Sequence, residues 1–231
     1  MPLHSFKRSA TLIAALAATF PNPQLHAQKA AGLGIVSSMA ENSEKLKQYT
    51  FKQKAEVYLK GDLKKTSVSQ IHFDSKGERV AVPLEVAPAA DTQQRRGRIG
   101  RRIAEEKKDE MKEYIERLTG LMGQYLPPTE DRIKAAVPAA QFSHPSPEVA
   151  EVTFPDYLKS GDSMTVSLNA AEKRIAQISV KSSLDSDPVS IIVNFSQLPD
   201  GTNYPATTSL QSEAKGIELR LSTYDYQLQP K

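Results

Sequence analysis

The sequence predicts an α+β protein: an open, curved antiparallel sheet, apolar on one face, with amphipathic helices lying across it. Three observations carry this expectation. Apolar residues recur at period two through the last third of the chain, as Met164, Val166 and Leu168, then Ile178 and Val180, then Val189, Ile191, Val193 and Phe195. Turn residues separate these runs at hairpin spacing, at Asn169 to Lys173, Asp185 to Pro188, Pro199 to Gly201 and Ala214 to Gly216, so consecutive strands should be antiparallel neighbours. Two other stretches change to helical spacing, and a sheet with one apolar face needs such elements to cover it.

Taken in order, residues 1–27 have the pattern of a cleaved export signal. Lys7 and Arg8 form a basic start, an apolar run extends from Ala10 to Phe20, and Pro21 and Pro23 break it before Leu25-His26-Ala27. The run is shorter than the roughly 20 residues that cross a bilayer. Cleavage after Ala27 would leave residues 28–231 as one domain without a transmembrane segment, with a periplasmic address expected and secretion as the alternative. Ile35, Val36, Met39, Ala40 and Leu46 then share one helical face. Phe51, Gln53, Ala55 and Val57 alternate with polar residues as a strand, and Gly61-Asp62 supplies a turn. A second strand is expected over about Thr66 to Phe73, followed by the turn Asp74-Ser75-Lys76-Gly77. A third carries Val80, Val82, Leu84 and Val86, with Pro83 placing it at an edge or shortening it.

A long charged helix is expected over about 94–126, inserted between strands. Met111, Tyr114, Ile115, Leu118, Leu121, Met122 and Tyr125 share its apolar face, and Pro127-Pro128 ends it. A Pro-rich loop containing Pro138, Pro145, Pro147 and Pro155 is expected to return the chain to the sheet. In the last strand the apolar phase moves from Ile217, Leu219 and Leu221 to Tyr224, Tyr226 and Leu228, which calls for a bulge or a change of covered face.

Composition limits the function. With 39% hydrophobic and 25% charged residues among 231, the chain is neither a disordered tail, a polytopic membrane protein nor a collagen-like fibre. Thirty basic residues against 27 acidic ones produce no field that would pull it onto nucleic acid. The absence of Cys removes disulfides, thiolate catalysis, Cys zinc sites and an acylated lipobox. Outside the signal segment the histidines are His72 and His144, and neither stands at a metal-ligand spacing. There is no G-x-S-x-G elbow, H-E-x-x-H, Walker loop or dinucleotide glycine fingerprint, so catalysis, metal and cofactor are not expected.

The densest charge is Arg95, Arg96, Arg98, Arg101 and Arg102. It is either a solvated helix start or an anion-binding patch, for which Arg95, Arg96 and Arg98 are the candidates. Arg101 with Glu105, Arg102 with Glu106, Lys112 with Glu116 and Glu113 with Arg117 stand at i to i+4, each such pair adding about 0.2 to 0.5 kcal/mol. Met39, Met111, Met122 and Met164 fit either an ordinary core or an adaptable apolar lining.

Local motifs at both ends of the mature chain add a resemblance. They are Tyr49-Thr50-Phe51-Lys52-Gln53, Phe73-Asp74-Ser75-Lys76-Gly77-Glu78-Arg79, Leu198-Pro199-Asp200-Gly201 with Tyr204-Pro205, and Tyr224-Asp225-Tyr226. With the leader, first helix and sheet, the chain resembles the LolA-like group of periplasmic lipoprotein-sorting and lipid-handling proteins. The motifs leave residues 87 to 160 uncovered, and the Arg-Pro strand typical of the carriers is missing. The resemblance implies a β half-barrel whose concave face holds a lipid, an acyl chain or a lipidated protein, without catalysis. Strand parity offers Val57, Ile71, Leu84, Ile191, Val193 and Phe195 as the lining, with Met39, Ile115 and Met122 on a movable helical lid. The alternative is an envelope interaction module whose core is filled and whose partner is another protein.

Overall fold

The period-two stretches become the strands of one antiparallel sheet in the computed structural model, which describes residue 34 and residues 38–88, 98–172 and 174–229. The expected signal segment, Arg95 and Arg96 lie outside those residues. Arg98 opens a helix, and over 98–106 the backbone alone is described.

The strands are β1 (Tyr49–Leu59), β2 (Asp62–Phe73), β3 (Arg79–Pro88), β4 (Gln141–Ser146), β5 (Val149–Pro155), β6 (Ser163–Asn169), β7 (Arg174–Leu184), β8 (Asp187–Gln197), β9 (Asn203–Ser212) and β10 (Ile217–Leu228). A first helix, α1, covers residues 38–46. Between β3 and β4 come α2 (Arg98–Tyr125), α3 (Glu130–Ala136) and a 3-10 turn at Val137–Ala139. Spatial order is β3-β2-β1-β10-β9-β8-β7-β6-β5-β4, so the sheet is open and its two edges are β3 and β4.

Register aligns the inward residues into rows that cross the sheet. One row runs Val152, Val166, Ile178, Val193, Thr208, Leu221, Ala55 and Ser67, from β5 to β2. Beside it run Phe154, Met164, Val180, Ile191, Leu210, Leu219, Val57 and Lys65. Both rows are apolar and buried over β5 to β8 and turn polar toward β2. A helix is therefore drawn to the β5–β9 half, where burying an aliphatic side chain contributes about 1.5 to 3 kcal/mol.

Helix α2 answers that half. Tyr114, Leu118, Leu121 and Tyr125, spaced four, three and four, are buried against the inward rows, with Met111, Ile115 and Met122 packed beside them. Each end of this stripe carries a tyrosine whose hydroxyl needs a partner in the core. Tyr114 Oη bonds Ser212 Oγ at 2.9 Å and donates to Asp187 Oδ2 at 3.2 Å. Tyr125 Oη bonds Ser182 Oγ at 2.8 Å and donates to buried Asp162, whose carboxylate also accepts from the Leu158 and Lys159 amides. Burial first and the Asp162 carboxylate second push the Tyr125 hydroxyl up to about 12. Near the opposite end of the sheet, α1 brings Met39 onto the core, and Asn42 Oδ1 accepts from the Asn203 amide at 2.8 Å.

The structure decides the alternatives left open by the sequence and corrects other expectations. Pro83 does stand on an edge strand, and β3 keeps ten residues. The Pro-rich return after α2 is no loop: it contains α3 and the hairpin β4–β5. Pro145 fits because β4 is the other edge strand and its pairing shifts between Ser143 and Ser146. Arg117 does not pair along its helix with Glu113; it reaches Asp185 in the β7–β8 turn. Lys112 and Glu116 do pair, at 3.8 Å. The phase change in the last strand is a bulge: Thr50 faces Gln227 and Lys52 faces Tyr224, with Asp225 at φ 61°.

Candidate functional site: an apolar groove between helix α2 and strands β10, β1 and β2

Helix α2 has a second stripe, only partly covered by the filled half of the sheet. Ile115, Thr119, Met122 and the following Leu126, again spaced four, three and four, look toward β10, β1 and β2. Facing them are Ala55, Val57, Leu219 and Leu221 from the two inward rows. Between the stripe and the strands lies a cavity of about 550 Å³, within the roughly 300 to 1,000 Å³ range of small-ligand clefts. The groove exists because the inward residues shrink and turn polar here: Ala55 and Ser67 stand where Ile178 and Val193 stand on the filled side.

Polar groups share the lining of the groove. Gln53, Ser67 and Thr208 line it from the sheet and Thr119 from the helix, where its hydroxyl is already donated to the Ile115 carbonyl at 2.9 Å. Three charged residues line it: Glu56, Lys65 and Arg79. Glu56 is taken by Lys54, whose ammonium lies 2.6 Å from it. Arg79 Nη2 donates to Gln53 Oε1 at 2.6 Å. The Arg79 residue as a whole is exposed, yet desolvation of its guanidinium pulls its pKa below the ordinary value, countered by Tyr226 nearby. Beyond Gln53, Tyr49, Phe51, Tyr204 and Tyr226 form an aromatic cluster. Phe51 stacks on Tyr226 at 4.6 Å between centroids, and Tyr204 lies 4.4 Å from Tyr226. Burial pushes the Tyr226 hydroxyl up. Tyr49 Oη donates to Asp200 Oδ2 at 2.6 Å, which holds that carboxylate below its usual range.

Of the nine residues offered as lining or lid, Val57, Ile115 and Met122 meet in this groove. Ile71, Ile191 and Val193 are buried, the latter two inside the filled half, and Phe195 and Met39 pack against that core. Leu84 is 53% exposed on edge strand β3. Strand parity selects the inward face but not which part of it a helix covers. It passed over Ala55, Leu219, Leu221 and Arg79, and the signal that could have found them is the small and polar residues of β1 and β2. His72 is half-buried on β2 and His144 is exposed on β4. Asp74 is engaged in its own hairpin, accepting from the Lys76 and Glu78 amides at 2.9 Å each. Among the described residues no group of three His, Cys, Asp or Glu could hold a metal ion.

A second hollow, of about 570 Å³, lies at the N-terminal side of the docked stripe of α2. It is lined by Lys107, Arg117 and Lys215 against Glu110, Glu113, Asp185 and Asp187. Arg117 pairs with Asp185, and Lys215 lies 3.8 Å from Asp187, so its charges largely serve the helix dock.

No family model matches the chain, and no curated protein matches it. Solved structures do. A LolA superfamily protein from Nitrosomonas europaea aligns at 11% identity over 85% of this chain and 94% of its own, with a TM-score of 0.35. An outer membrane lipoprotein-sorting protein domain from Vibrio parahaemolyticus, described as putative, aligns at 10% identity over 86% and 93%, TM-score 0.36. A DUF1329 family protein from Desulfovibrio piger aligns at 7% identity over 84% and 93%, TM-score 0.35. Two of these bear the name of the group that the local motifs resemble. At such TM-scores the likeness carries no argument about function, and the class of the molecule, an open antiparallel half-barrel crossed by helices, stands on its strand order and register.

Proposed function

We propose that this protein is a noncatalytic binding protein of the bacterial periplasm that holds a lipid, an acyl chain or a lipidated protein in the concavity of its half-barrel. The observation that carries this reading is the groove: about 550 Å³ bounded by Ile115, Met122 and Leu126 on one side and Ala55, Val57, Leu219 and Leu221 on the other. A filled concavity would leave nothing to bind. The half of the face under the buried stripe of α2 is filled, so the ligand belongs to the β10-β1-β2 half alone. Helix α2 is tied down by Tyr114 and Tyr125, so Ile115 and Met122 act as a wall. No helix among the described residues is long and apolar enough to cross a membrane.

Native mass spectrometry of the chain purified without detergent from an envelope fraction, followed by solvent extraction, tests the reading. The expected result is a co-purifying acyl species at one per chain. A bare mass, together with no displacement of a neutral hydrophobic dye by any long-chain amphiphile, would overturn it in favour of an interaction module.

A further inference from the structure

We propose that the groove takes an amphiphile with an anionic head, a carboxylate or a phosphate, and that Arg79 is the residue that receives the head. This rests on the groove being a ligand site. The geometry supplies the argument. Gln53 and Arg79 lie at one end of the groove's β1 wall and Lys65, opposite Val57, at the other. From Gln53 to Val57 the strand rises by four residues, roughly 13 Å, with Ala55 and Val57 facing the groove. An apolar middle with a cation at its end fits a chain and an anion in a single molecule.

Arg79 is the better anchor of the two cations. Its guanidinium donates to a neutral amide, that of Gln53, and among the described residues no carboxylate pairs with it. The one carboxylate lining the groove, Glu56, is held by Lys54. A guanidinium has five N–H donors in a planar fork that matches a carboxylate or a phosphate, so the Gln53 bond leaves donors for a ligand. The partial desolvation of the guanidinium strengthens such a pair relative to one in open water. Desolvation lowers the Arg79 pKa, but a delocalised guanidinium stays a cation at neutral pH. Lys65, exposed like Arg79, carries a compact ammonium without the planar fork, a poorer geometric match to a carboxylate or phosphate head.

The test is displacement of the neutral dye N-phenyl-1-naphthylamine from the intact chain by palmitate, hexadecyl phosphate, hexadecanol and inorganic phosphate. In the unsubstituted protein, palmitate and hexadecyl phosphate should bind about ten-fold or more tightly than hexadecanol. Arg79→Gln should erase that preference and leave hexadecanol within about two-fold, Arg79→Lys should restore part of it, and Lys65→Gln should keep it. Equal binding of charged and neutral chains by the unsubstituted protein, or a preference that survives Arg79→Gln, overturns the assignment while leaving the groove as an apolar site. A preference lost in Lys65→Gln instead would move the head to the other end. If inorganic phosphate displaces the dye at the same concentration as hexadecyl phosphate, the site is one for a free anion and the amphiphile is overturned. If no long-chain compound displaces it, the binding reading falls with the proposal.

Discussion

Tyr125 and Tyr157 are two buried tyrosines with stacked rings 6.2 Å apart and opposite hydrogen-bonding fates. The Tyr125 hydroxyl serves Asp162 and Ser182, whereas the Tyr157 hydroxyl has no partner among the described residues. Removing the first leaves a buried carboxylate short of a donor, so Tyr125→Phe should cost about 1 to 3 kcal/mol in urea unfolding. Tyr157→Phe removes a hydroxyl that was desolvated for nothing, and should be neutral or mildly stabilising in the same measurement. The same pair makes a pH prediction. A tyrosine whose folded pKa stands near 12, against an ordinary 10, is protonated more tightly in the folded state. Its contribution is complete below about pH 10 and is lost as pH rises toward about 12. Urea midpoints taken across that window should fall more steeply for the unsubstituted protein than for Tyr125→Phe.

Helix α2 has two working faces, and mutations should separate them. Leu118 is fully buried in the docked stripe, so Leu118→Ala should destabilise by about 2 to 5 kcal/mol, measured by urea unfolding. Met122 lines the groove and is half-buried, so Met122→Ala should cost about 1 kcal/mol or less and act mainly on displacement of a bound hydrophobic dye. Much at this scale was legible in advance. The seven apolar positions of the helix and the period-two strands follow from spacing, because burial on one face is what spacing records, and the phase change in β10 was legible as a bulge or a change of face, between which the pairing with β1 decides. The hairpin β4–β5 was hidden by prolines that an edge strand tolerates and a central strand does not. Which inward residues line a groove was hidden for a different reason: it depends on where a helix comes to rest across the sheet, a contact between parts of the chain distant in sequence. Arg117 illustrates the same limit, since its partner, Asp185, comes from a turn far along the chain.

At the scale of the molecule, the first strand pairs with the last. β1 and β10 are neighbours through ten register partners, so the middle of the sheet closes only when β10 is in place. Such long-range pairing favours slow folding, and refolding after urea dilution should fall in the millisecond to second range. Apart from this seam, every pair of neighbouring strands is also consecutive along the chain. The two sheet edges, β3 and β4, are themselves consecutive, and the segment between them is the one that carries α2 across the concave face. The strand order is thus cyclic, with the start of β1 and the end of β10 at one point of the circle and the helical strap at another. Linking the end of β10 to the start of α1 and opening the chain between β3 and α2 would turn the strands into a meander from β4 through β10 to β3, with α1 between β10 and β1. Such a permuted protein should refold faster than the original, and its α2, held at one end by α3 and no longer tethered to β3, would make the groove easier to enter.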